Sequence, residues 1–384
     1  MTYDFDTLPD RRDSESIKWN KYADDVIPMW VADMDFLSPP PVVQALKTRA
    51  AHGVYGYPEI TDNTRHTIID WLWSRYSWAV EPDELLFLPG VVNGFNLAAH
   101  ALCQQIEGVL VQTPTYRPFF DVASNVGLDQ HNVPLDQHPD GRYLVTRPHF
   151  EDAIQDNTRI FMLCNPQNPT GRVFNKQELT IMAEVCLENE IYICADEIHS
   201  DIVYPGHAHI PMATLSPSVA QRTITLLSPS KTFNVAGLKA AFAVIQNQKI
   251  MQKMKQARQG LLGRISIFGQ VALQASYAQG GNWLEKLISY LDGNRTLVCD
   301  FVNQRLAGFS MVKPEATYLA WINCNQSHID QPQEYLLEEA KVAVNPGTWF
   351  GEDGEGYVRL NFGCPRDHLM KGLQRIEKAL STRV

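Results

Sequence analysis

The chain of 384 residues has no CxxC pair. Its seven cysteines, Cys103, Cys164, Cys186, Cys194, Cys299, Cys324 and Cys364, are scattered and odd in number, so neither a disulfide framework nor a thiolate metal site is expected. They read as free, mostly buried thiols; Cys194, inside the apolar run IYICAD, behaves as a small hydrophobe. No stretch approaches the ~18 uninterrupted apolar residues of a membrane helix, and the opening MTYDFDTLPDRRDSES lacks the apolar segment of a secretion signal. A basic stripe is also missing: 33 basic against 43 acidic residues leave a net charge of -10, which disfavours nucleic acid as a partner. Neither GxxxxGK[ST] nor GxGxxG occurs, which sets aside two common nucleotide cradles. His207 and His209 form the only close histidine pair and have no further ligands at sensible spacing, so no metal is expected. What is present is an ordinary globular composition, 45% hydrophobic, in a chain long enough for two lobes and expected to be cytoplasmic.

Between about residues 80 and 250, short apolar runs alternate with longer segments of helical period. That alternation predicts an α/β fold with a mainly parallel central sheet and helices on both faces. Strands are expected at 85–89, 108–113, 159–165, 191–198, 223–228 and 240–245, with helices at 92–106 and 176–190. From Gly281 the pattern changes. A long helix over 283–306, strand-like TYLAWINC, a helical segment over 334–341, VAVNPG, YVRLNFG and a closing helix over 367–380 predict a smaller α+β domain. The expected division is a large domain, 45–280, and a small domain made of 1–44 and 281–384, the first 40 residues crossing back onto it. Ligands of open α/β sheets sit at the carboxyl ends of strands, so residues just past these runs are the candidates for chemistry.

Lys231 follows the strand TITLLS, between Ser228 and Ser230 on one side and TFN on the other; alone it would pass for a surface lysine. Asp196 ends the strand of CADEIHSD, where an acid is poorly solvated and wants a cationic partner. Gly90-Val91-Val92 joins a strand to a helix and offers backbone N–H groups to a phosphate. NPQNPTG, 165–171, is a rigid turn that fixes an asparagine amide, and Tyr116 in TPTYRPF is placed to lay a ring against something flat. One ligand needs a lysine, an acid for a ring nitrogen, a phosphate cradle and a partner for a phenolic oxygen: pyridoxal 5'-phosphate.

These stretches, with MWVADMDF (29–36), HGVYGYPEI (52–60), ADEIHSDIVY (195–204), SKTFN (230–234) and YVRLNFGCPR (357–366), make the chain resemble a fold-type I pyridoxal-phosphate enzyme of the class I/II aminotransferase superfamily. Within it the nearest likeness is to the MalY/PatB-type cystathionine β-lyases, over nearly the whole chain. The resemblance implies that Lys231 carries the cofactor and later removes the Cα proton, that Asp196 pairs with the ring nitrogen and Asn168 with the ring oxygen, and that Tyr116 stacks on the ring. It places Val91, Val92, Ser228 and Ser230 on the phosphate, and Arg359 and Ala32 on the substrate, Arg359 gripping the α-carboxylate. Tyr55, or else Tyr57, would cross a homodimer interface to the neighbour's phosphate. Two departures stand out: Lys239 replaces an arginine common in aminotransferases, and His199 replaces a tyrosine near the ring oxygen. Both shift weight toward β-elimination from L-cystathionine or related cysteine S-conjugates. Transamination, and a regulatory protein of this fold acting by protein contact, are the alternatives.

Overall fold

The computed structural model describes residues 3–383, so residues 1, 2 and 384 of the expected small domain lie outside the described residues. Seven strands form the main sheet: β1 (Leu85–Leu88), β2 (Gly108–Thr113), β3 (Asp129–Pro134), β4 (Thr158–Cys164), β5 (Tyr192–Asp196), β6 (Thr223–Leu227) and β7 (Ala241–Val244). Their order is β1-β7-β6-β5-β4-β2-β3. All pairs are parallel except those of β7, which runs against both β1 and β6. The run AAFAVI is therefore a strand as expected, but a reversed one, because a strand buried on both faces carries no mark of direction. The reversal matters for chemistry: the 228–240 connection, with Lys231 in it, begins and ends at the carboxyl edge of the sheet. β3 has no counterpart among the expected strands. It is the polar edge strand DQHNVP, in which only Val133 is buried.

The helices used below are α1 (Pro40–Ala51), α2 (Asp62–Tyr76), α3 (Val91–Leu102), α4 (Lys176–Glu188), α5 (Pro229–Thr232), α6 (Ile267–Gln279), α7 (Gly281–Arg305) and α8 (Arg366–Ser381). α3 stops at Leu102 rather than Ile106, which has φ +72°, outside right-handed helical space. α4 opens on a reciprocal capping box between Asn175 and Glu178. Among the described residues no helix is long and apolar enough to cross a membrane.

A second, antiparallel sheet holds β8 (Leu319–Asn323), β9 (Asn345–Pro346) and β10 (Tyr357–Asn361), with β10 in the middle. The N-terminal segment does cross back: Ile27-Pro28 pairs with Val342-Ala343, and the Asn361 N–H donates to the Met29 carbonyl at 2.9 Å. Phe5 packs among Phe36, Trp283 and Tyr290. These contacts support the two-domain division at 45–280, which we propose for the chain, although α1 runs across its 44/45 boundary.

Residues 29–36 form a strap between the two sheets. Asn234 holds it from the lysine loop, accepting from the Met34 N–H at 3.0 Å and donating to the Met34 and Phe36 carbonyls at 2.8 Å each. From the other side the buried Asp35 accepts from Lys18 and Arg11, each at 2.7 Å, and from the Trp19 indole at 2.8 Å. Burial alone would raise the Asp35 carboxyl; Lys18, Trp19 and Arg11 together hold it below its ordinary value. Replacing Lys18 by Met leaves much of this buried carboxylate uncompensated, and a loss of about 3 kcal/mol is expected in denaturant unfolding. A loss under about 1 kcal/mol would mean that Arg11 neutralises Asp35 alone.

Candidate active site

β1, β6, β5, β4 and β2 share one direction, so their carboxyl ends lie along a single edge. There the chain encloses a cavity of about 190 Å³. Lys231, Asp196, Asn168, Tyr116 and His199 line it, as do Val91, Val92, Ser228, Ser230 and Ala32. Ten of the expected site residues are thus brought together from segments spread over two hundred positions. Arg359 stands immediately behind them, its Nη1 donating to Asn168 Oδ1 at 2.9 Å.

Lys231 sits in the four-residue helix α5, which is pinned on both sides. The Ser228 hydroxyl accepts from the Ser230 N–H at 3.1 Å and donates to the Ala240 carbonyl at 2.7 Å, tying the start of β7 to the end of β6. The Thr232 hydroxyl donates to the buried Asp201 at 3.1 Å. Lys231 Nζ then reaches the Ala32 carbonyl on the strap, at 2.6 Å. Because the Ser228 hydroxyl is engaged in capping, Ser230 is the serine of the pair whose hydroxyl takes no partner among the described residues, and the Gly90 end of α3 contributes N–H groups with no side-chain cap.

The asparagine turn is equally determined. Gln167 accepts from the Thr170 N–H and hydroxyl, the Asn165 side chain accepts from the Phe174 N–H, and Gly171 has φ +72° with Pro314 so near that an added Cβ would lie 2.4 Å from it. Arg359 occupies Asn168 Oδ1, so the group Asn168 can offer a ligand is its amide N–H.

Electrostatically the cavity is unbalanced. Arg359 is 6% exposed, and its other partners, the Trp30 carbonyl at 2.9 Å and Asn345 Oδ1 at 2.6 Å, are neutral, as is the Phe350 ring beneath it. Burial pushes even this guanidinium down to about 10, and its Nε has no partner among the described residues. Lys231 is pushed down to about 8, by burial first and then by Arg359, with Asp33 and Asp196 opposing. Asp196, 3% exposed, is pushed up to about 7 by burial; the Ile198 N–H and Lys231 only partly offset this. His199 is driven down to about 3 by burial and by Lys231 and Arg359, so it is a neutral imidazole, and its buried Nδ1 has no partner among the described residues. Tyr116 is raised by burial and by Asp196 and stays a phenol.

A larger cleft of about 500 Å³ between 137–143 and 310–315 shows no such imbalance, Arg172 being paired there with Glu178 and Glu315. Tyr55 is not at the cavity of its own chain. It is 57% exposed, donates to the Ala50 carbonyl at 2.7 Å and packs on Phe268, while Tyr57 is fully exposed. Three contributors escaped the sequence: Tyr318, whose hydroxyl donates to the Ala32 carbonyl at 3.0 Å; Asn345 on Arg359; and Asn234 on the strap. SKTFN and TYLAWINC were visible as stretches, but no spacing indicated which strap atoms they meet.

The donor set fits pyridoxal 5'-phosphate. A buried acid suits a protonated ring nitrogen, the His199 ring with its unpartnered Nδ1 and the Asn168 amide N–H suit a ring oxygen, and the helix end with Ser230 suits a phosphate. In the cofactor-free protein the Lys231 amine is expected to titrate near pH 8 rather than at the ordinary lysine value. Trace acetylation across a pH series, read by peptide mass spectrometry, measures this; a midpoint above about 10, in the ordinary lysine range, would show that the cavity does not perturb it.

Residues 24–376 match the family described as aminotransferase class I and II. Cystathionine beta-lyase PatB of Bacillus subtilis (strain 168) is 37% identical to the chain, covering 98% of it and 100% of PatB. Protein MalY of Escherichia coli (strain K12) is 33% identical over 98% of this chain and 99% of its own. Among solved structures, cystalysin from Treponema denticola, which contains a pyridoxal 5'-phosphate cofactor, superposes with a TM-score of 0.96 at 30% identity, with 100% of both chains covered.

Proposed function

The chain belongs to the aminotransferase class I and II family, and from that premise we propose that it is a pyridoxal 5'-phosphate-dependent carbon–sulfur β-lyase. It acts on L-cystathionine or related cysteine S-conjugates, taking up one water and releasing a thiol, pyruvate and ammonium. The observation that carries this reading is the pair of enclosed cations, Lys231 and Arg359, whose hydrogen-bond partners among the described residues are all neutral. Such a site calls for anions, and an amino acid with a phosphorylated cofactor brings two.

The cofactor, when bound, supplies an electron-poor ring that takes up the electron pair left at the substrate Cα. The residues of the chain do the rest. Arg359 holds the α-carboxylate with its planar fork, and the Asn168 and Asn345 carbonyl oxygens keep that fork in place. Asp196, enclosed at the end of β5, would hold the ring nitrogen of the cofactor in its protonated form, because a cationic partner offsets the carboxylate charge that burial disfavours. Lys231 takes the Cα proton, for which it must be neutral, and its lowered pKa leaves a sizeable neutral fraction near neutral pH. His199 cannot become charged in the working range, so it offers its ring only as a neutral hydrogen-bonding group. Loss of the thiolate from Cβ then completes the elimination. The relatives' names favour this outcome over transamination. The free thiols fit a cytoplasmic setting.

The test is to incubate the reconstituted protein with L-cystathionine and no added oxo acid. Pyruvate and free thiol are expected in equal, catalytic amounts; product formation that requires an oxo acid would favour the aminotransferase alternative.

We also propose a homodimer with shared sites. Val54, Tyr55, Tyr57 and Leu261 are exposed on neighbouring segments, which Arg264 and Gln270 join by hydrogen bonds to the Pro58 and Glu59 carbonyls. A second copy covering this face would bring Tyr55 to the phosphate end of its neighbour's cavity. Mixed dimers of Lys231→Ala and Tyr55→Phe subunits should then exceed the activity of either parent, since one site per hybrid carries neither change. Verified hybrids that stay at the parental level would rule out the crossing.

A further inference from the structure

Two donors share one acceptor beside the lysine. The Ala32 carbonyl takes Lys231 Nζ at 2.6 Å and the Tyr318 hydroxyl at 3.0 Å, so the amine and the phenol are neighbours on a single oxygen. Tyr318 stands just before β8 and is fully buried, with the His199 ring edge-on at 6.0 Å. Burial raises the phenol far above its ordinary pKa, Asp33 adding to this and Arg359 opposing it, so the hydroxyl remains a proton donor.

A carbonyl oxygen favours an ammonium over an amine, because the charged donor makes the stronger hydrogen bond. A second donor on the same oxygen draws on the same lone-pair density and weakens that preference. We propose that Tyr318 is a positioning residue for Lys231: by holding the Ala32 carbonyl it sets where the amine rests and favours the neutral form that can take a proton from Cα. This rests on the assignment of Lys231 made above. It requires no contact between Tyr318 and the substrate.

The other charged groups around the amine come from every neighbouring element. Arg359 on β10 and Lys239 after α5 disfavour its charge, Asp33 on the strap and Asp196 at the end of β5 favour it, and His199 is neutral. Tyr318→Phe removes none of them and keeps the ring. A change in Lys231 titration therefore belongs to the hydroxyl.

The experiment uses the full chain without cofactor. Trace acetylation of Lys231 is followed by peptide mass spectrometry from neutral to alkaline pH, in wild type and Tyr318→Phe. The midpoint is expected to rise by about one pH unit in the variant, the size of an ordinary hydrogen-bond effect. With cofactor restored, the acid limb of kcat against L-cystathionine should move up in the same direction while the alkaline plateau is kept. Site-specific 3,5-difluorotyrosine at 318, a stronger donor that preserves the shape, should move the midpoint down, and this arm decides if the phenylalanine variant does not fold. An unmoved midpoint, or a lowered plateau with an unmoved acid limb, would overturn the inference and leave Tyr318 a packing residue. Lys231→Ala separates the two levels: if it still releases pyruvate, the lysine assignment itself fails. If it is inactive and the Tyr318→Phe midpoint is unmoved, only the present inference fails.

Discussion

Lys231 and Arg359 are enclosed at one edge of the sheet, where Asp196 is the acid that lines the cavity and their hydrogen-bond partners among the described residues are neutral. Enclosing a charge in this way costs several kcal/mol unless something compensates it. The two cations respond differently. Lysine yields by giving up its proton more readily, which is also what a base requires; arginine stays charged over the working range and is steadied by the dipoles of Asn168, Asn345 and the Trp30 carbonyl and by the face of Phe350. The remaining imbalance is what ligand anions relieve. Stability is surrendered locally for recognition, as in many binding sites.

The fold concentrates this cost in one place. Parallel strands put Asn168, Asp196 and Lys231 on adjacent strand ends, and the reversed β7 returns the lysine loop to the same edge. The second sheet supplies Arg359 and Tyr318, and the strap between the sheets meets both: Trp30 accepts from Arg359 and Ala32 from Lys231 and Tyr318. The Lys18–Asp35 pair and Asn234 hold that strap in register. A shift of the strap would disturb base and carboxylate grip together, which makes it the mechanical link between the two halves of the site.

Much of this was legible in the sequence, because chemistry at strand ends is written as short runs of polar residues directly after apolar ones. Asp196, Asn168 and Lys231 each end or follow such a run, and all three line the cavity. Other features leave no local trace. The direction of β7 is invisible in an apolar strand, and β3 is too polar to read as a strand. The bond from Arg359 to Asn168 spans 191 residues, and that from Tyr318 to Ala32 spans 286, so neither could come from spacing. The Ser228 hydroxyl caps α5 and holds the Ala240 carbonyl, two bonds that the motif alone does not show. Tyr55 lies on the surface, away from the cavity of its own chain, because the role expected of it belongs to a contact between two copies.

Whether this cavity is the cofactor's seat is decided most directly by locating the covalent attachment. The cofactor-free protein is saturated with pyridoxal 5'-phosphate, reduced with borohydride, digested and mapped by mass spectrometry. The expected result is a single reduced adduct on the peptide that contains Lys231. An adduct confined to other lysines, with Lys231 unmodified at saturation, would contradict the placement of the site at the strand ends.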